Sequence, residues 1–147
     1  MTGTPTGTSV CQNEGNMVEV FVRGLDFYGH HGVTDEEQAI GHRYLANVTA
    51  VLDDTVLHTD DITDTVDYAN LAMVMLQVSS ESRFRTVESL AAAYCQKALK
   101  VFPPIMEIEV EIAKQMPPAP IIAEATGVRF QLRRRAEPRE PDPGDIV

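Results

Sequence analysis

Residues 105–114, IMEIEVEIAK, alternate without a break: Met106, Ile108, Val110 and Ile112 fall on one side, Glu107, Glu109 and Glu111 on the other. Side chains repeat every two residues only in a β-strand, so only a strand turns every apolar residue to a core and every acid to water. A strand also needs neighbours for its backbone and a covering layer for its apolar face. This segment therefore commits the chain to a sheet buried on one side. TGVRFQLRR (126–134) offers a neighbour, with Val128, Phe130 and Leu132 inward and Arg129 and Arg133 outward. Outward bases beside outward acids favour antiparallel pairing.

The same period appears twice near the N-terminus. In MVEVFVRGL (17–25), Val18, Val20 and Val22 oppose Glu19, Phe21 and Arg23; in HRYLANVTAVLDD (42–54), Tyr44, Ala46, Val48, Ala50 and Leu52 form the more apolar side. Between the two pairs of strands the period changes to that of a helix. VDYANLAMVMLQVSS (66–80) places Leu71, Val74, Met75 and Val78 on one stripe. TVESLAAAYCQKALKVFPP (86–104) does the same with Val87, Leu90, Ala91, Tyr94, Cys95, Ala98 and Phe102. Thr86 suits an N-cap, and Pro103-Pro104 stops the second helix. The order strand, strand, helix, helix, strand, strand predicts an α+β fold, an antiparallel four-stranded sheet with both helices on one face.

A chain of 147 residues makes one domain. The expected folded unit is 17–135, between polar tails expected to be disordered: 1–16, rich in Thr and Gly, and 136–147, with three prolines. A net charge of -10 argues against a nucleic-acid partner, and no apolar run approaches membrane-spanning length. The first sixteen residues carry no Lys or Arg and no apolar stretch, unlike a secretory signal. With only Cys11, in the polar lead, and Cys95, on a helix stripe, both thiols are expected reduced, in the cytoplasm.

Several residues carry chemistry. Lys114 follows Ile112 on the apolar side of its strand, where partial desolvation favours a neutral amine and suits proton transfer. Taken alone, the residue is more simply a stem lying on the core edge with its ammonium in water. Glu88 falls in the first turn of the second helix, where the helix dipole alone favours an acid. Tyr68 begins the first helix, and Glu37 is one of three acids in the connection FYGHHGVTDEEQAIG (27–41). His30 and His31 are adjacent, so their side chains diverge in extended backbone; His42 and His58 fit no metal-ligand spacing. No metal site is expected.

FYGHHGVTDEE, DDITDTVDYA, FRTVESLA and KQMPPAP, in that order and spacing, resemble the dihydroneopterin aldolase family across about residues 18–134. The resemblance implies the tunnelling fold, ββααββ, assembled as a homotetramer or homo-octamer with sites between subunits. It implies a pterin substrate and no cofactor: retro-aldol cleavage of 7,8-dihydroneopterin, with C2′ epimerisation as a companion. By the same resemblance Lys114 is the catalytic lysine and Tyr68 the proton-relay tyrosine. Glu37 holds substrate and an ordered water, Glu88 anchors the pterin, and Val87 lends backbone beside it. His30 and His31 shape the loop. The chain departs from the pattern at His42 and Ile121, and in the length of both tails. An epimerase of dihydroneopterin or its triphosphate with little cleavage, or a non-catalytic pterin-binding assembly protein, are the alternatives; the latter is expected to have lost Lys114 or Tyr68.

Overall fold

The computed structural model describes residues 15–115 and 120–136. Cys11, Met116–Ala119 and all but three residues of the expected tails lie outside them. The elements are β1 (Met17–Gly29), α1 (Asp35–Ile40), β2 (His42–Asp53), α2 (Thr55–Thr59), a single 3-10 turn (Ile62–Asp64), α3 (Tyr68–Ser80), α4 (Val87–Val101), β3 (Glu107–Lys114) and β4 (Thr126–Arg133). The strands form one antiparallel sheet in the order β1-β2-β3-β4, with α3 packed on β1 and α4 on β3 and β4.

The alternation places the core where the sequence puts its apolar side chains. Tyr44, Ala46, Val48, Ala50 and Leu52 of β2 meet Ile108, Val110 and Ile112 of β3 under Leu71, Met75, Leu90, Tyr94 and Cys95, all buried. Each large aliphatic side chain buried this way contributes roughly 1.5–3 kcal/mol. On the other face Arg129 lies 3.0 Å from Glu109 and 2.6 Å from Glu111, and Arg133 lies 3.7 Å from Glu107, the expected cross-strand pairs. Thr86 caps α4 by accepting the Ser89 N–H at 3.2 Å. Burial pushes the Cys95 thiol up to about 12, so it stays protonated as a core residue.

Three details differ from the sequence expectations. Met106 is 40% exposed, because β3 starts one residue later and Ile105 fills the core at the turn. β1 runs on to Gly29, with two residues, Arg23 and Gly24, set against Asn47. Gly24 takes φ 72° there, a left-handed value that suits glycine, and its N–H donates to Asn47 Oδ1 at 2.7 Å. Beyond this bulge the inward residues are Leu25, Phe27 and Gly29, which is why the simple alternation fades after Val22. The three acids of the connection form the first turn of a helix, α1, where their charge complements the positive end of its dipole.

Candidate active site

Lys114 ends β3 on the helix-covered side, paired with Tyr44 of β2. Its side chain is 19% exposed and its Nζ lies 3.9 Å from Glu37 Oε2. α1 holds Glu37 in place through Thr34, whose Oγ1 accepts the Glu37 N–H at 3.1 Å and donates to Oε1 at 3.3 Å. Gly32 is required by the close approach, since a Cβ there would overlap the Cβ of Glu37. At 3.9 Å the ammonium and carboxylate attract without a direct hydrogen bond. A water or substrate hydroxyl between them would be bonded from both sides.

Beneath this pair lies His31, 1% exposed. Its Nδ1 accepts the Phe84 N–H at 3.0 Å, so the proton sits on Nε2, which is 3.0 Å from Ser79 Oγ. Its carbonyl accepts the Tyr44 hydroxyl at 3.0 Å. Burial, then the charges of His30 and Lys114, lower its pKa from 6.5 to about 4. A histidine held neutral by the fold stabilises it fully above the unfolded pKa of 6.5, and that contribution is lost as pH falls from there toward 4. The loss amounts to about 3 kcal/mol. The stability difference between the wild type and His31→Gln, followed by denaturant unfolding, is expected to shrink across that window. A difference independent of pH would show that His31 titrates normally.

The segment carrying His31 and α1 is joined to the α3–α4 turn. Gly32 N–H donates to the Phe84 carbonyl at 2.9 Å, and Arg85 donates to the Val33 carbonyl at 3.0 Å and to Asp35 Oδ1 at 2.8 Å. Two residues beyond the turn α4 begins, with Val87 half-buried and Glu88 exposed in its first turn. Lys114, Glu37, Val87 and Glu88 therefore gather at one end of the sheet. Tyr68 does not join them. It is 68% exposed at the start of α3, while Ser79, eleven residues on in the same helix, touches His31. At 1.5 Å per residue Tyr68 stands about 16 Å from that end.

The sequence missed two contributors here. Ser79 continues the buried stripe of Leu71 and Met75, and a polar residue on such a stripe signals a buried partner. Arg85 carries no periodic signal at all. Among the described residues no group of three or more His, Cys, Asp or Glu lies together to hold a metal ion, and no helix is long and apolar enough to cross a membrane.

Comparison with known proteins bears on what this end of the sheet does. The family model FolB, dihydroneopterin aldolase, matches residues 20–131. A dihydroneopterin aldolase of Streptococcus pyogenes serotype M18 is 33% identical over 119 residues, covering 80% of this chain and 100% of that protein. One from Bacillus subtilis is 36% identical over 105 residues, 71% of this chain and 88% of that protein. The crystal structure of E. coli dihydroneopterin aldolase in complex with neopterin superposes with a TM-score of 0.68 at 25% identity, covering 78% of this chain and 98% of that one.

Proposed function

Because the chain belongs to the dihydroneopterin aldolase family, its reaction is the retro-aldol cleavage of 7,8-dihydroneopterin in folate biosynthesis, and we propose that two copies of the chain build each site. The observation that carries this is the separation of Tyr68 from Lys114. Lys114 and Glu37 face each other across 3.9 Å at one end of the sheet, while Tyr68 stands about 16 Å along α3 from Ser79, which touches His31 at that end. A tyrosine serving the same reaction comes from a neighbouring copy. The open edges of β1 and β4 supply the means: strand pairing from copy to copy covers both and closes a ring. The assembly is a homotetramer, or two such rings paired as an octamer, in the cytoplasm.

The substrate's chemistry assigns the roles. A pterin presents two N–H donors side by side on its 2-amino-4-oxo edge. Glu88, open to solvent in the first turn of α4, meets them with two parallel charge-assisted hydrogen bonds, and the Val87 backbone lies beside it. Cleavage removes the proton of the 2′-hydroxyl and breaks the C1′–C2′ bond, releasing glycolaldehyde. The electron pair passes into the ring's own C6=N5 imine, so no Schiff base on the enzyme is needed. Lys114 and Glu37 hold the water that carries the hydroxyl proton away. Tyr68 of the neighbouring copy delivers a proton to C1′ of the enol-like intermediate, giving 6-hydroxymethyl-7,8-dihydropterin.

Glycolaldehyde that turns over before leaving re-adds through its other face, which inverts C2′; epimerisation accompanies cleavage for this reason. Anaerobic incubation with 7,8-dihydroneopterin is expected to yield glycolaldehyde and the C2′ epimer together, both quantified from one time course. Cleavage with no epimer at any time would remove the epimerase activity. Epimer without glycolaldehyde would make the chain an epimerase.

A further inference from the structure

Glu37 and Glu88 lie 51 residues apart in sequence, on different helices, yet both must meet one small substrate at fixed distances. Four hydrogen bonds join the segment that leads into the first helix to the turn that leads into the second. Two use His31 and Gly32 against Phe84 and are buried or half-buried. The other two belong to one exposed side chain: Arg85 Nη1 to the Val33 carbonyl, 3.0 Å, and Nη2 to Asp35 Oδ1, 2.8 Å.

Arg85 directly precedes Thr86, the N-cap of α4, and Asp35 directly follows Thr34, the N-cap of α1. The guanidinium thus spans the starts of the two helices that carry the two carboxylates. Both Arg85 and Asp35 are more than half exposed, at 56% and 85% of their side-chain surfaces. An ion pair so open to water contributes little to stability. Its geometry remains specific, because a planar fork donating from two nitrogens to two acceptors fixes direction as well as distance.

We propose that Arg85 is a positioning residue for the reaction: it sets the Glu37-bearing helix against the Glu88-bearing helix without touching substrate. This rests on the assignment of Glu37 and Glu88 to substrate given above. Misplacement of Glu37 disturbs the water it shares with Lys114 and so raises the barrier. The pterin anchor on α4 is unchanged, and ground-state binding persists.

The test is steady-state kinetics on the assembled protein. Arg85→Ala is expected to lower kcat roughly tenfold with KM within about twofold and an unchanged melting temperature. Arg85→Lys, which keeps the charge and loses the fork, should recover only part. In a Glu37→Ala background the further change Arg85→Ala should have almost no effect on kcat, since its action passes through Glu37. A wild-type kcat for Arg85→Ala overturns the proposal, as does a loss that persists undiminished without Glu37. If Glu37→Ala itself leaves kcat unchanged, the assignment of Glu37 fails, and the proposal with it.

Discussion

Lys114→Ala is expected to slow cleavage and epimerisation together, each by about 10²–10⁴-fold, or roughly 3–5 kcal/mol of barrier. Both activities begin with the same deprotonation and bond cleavage, so a group that manages that proton cannot affect one alone. Tyr68→Phe behaves differently. It keeps the ring and removes the hydroxyl, so glycolaldehyde leaves while protonation of C1′ stalls. The electron-rich intermediate then accumulates and, with oxygen present, diverts to an oxidised pterin. Single-turnover product analysis with and without oxygen separates the two variants. Equal loss of cleavage and no diverted product would end the division of labour. The same pair of variants tests the shared site. Co-expressed, Lys114→Ala and Tyr68→Phe chains placed at random in a ring leave about a quarter of the junctions with both groups intact. Recovery toward that fraction is expected; none would place Lys114 and Tyr68 of the same chain in each site.

Glu88→Gln is expected to weaken binding of pterin product by roughly 2–4 kcal/mol, some 30- to 1000-fold. The amide turns an N–H donor toward a donor edge, so one hydrogen bond is lost and a polar group is left facing its like. Titration calorimetry with 6-hydroxymethyl-7,8-dihydropterin measures this directly. Unchanged affinity would leave Glu88 as an acid placed only for the helix dipole in the first turn of α4. The expected Lys114 and Glu88 results differ in kind: one affects turnover, the other affinity.

How much of this was readable from the residues depends on which physical signal each residue carries. Ile108, Val110 and Ile112 announce their strand because burial on one face enforces a period of two, and the structure buries all three. Thr86 announces its helix because an N-cap must accept an orphan N–H. Lys114 could be placed beside the apolar row by parity, but its approach to Glu37 could not, since α1 adds a short helix that only Thr34 and three acids hint at. Parity alone puts Met106 in the buried row, whereas the strand begins at Glu107, a boundary that parity does not encode. Arg85 is silent for a different reason: both of its partners lie about 50 residues away, and no local pattern predicts a contact across that distance. The separation of Tyr68 from Lys114 is likewise a matter of where α3 starts, which the spacing of motifs along the chain does not reveal.

The bulge at Arg23 and Gly24 bears on how the chain can change length over generations. Val22 faces Val48, Leu25 faces Ala46, and the two residues between share Asn47 as their partner. Deleting Gly24 would leave Arg23 alone opposite Asn47 and every other pairing as it is, with no side chain turned to the opposite face. Deleting Val20 instead would invert one part of the strand against the other and send apolar residues into water. A single glycine thus marks a point in β1 where a one-residue deletion is neutral to the core. Relatives of this chain should therefore be free to differ by one residue here while remaining strict in count on either side.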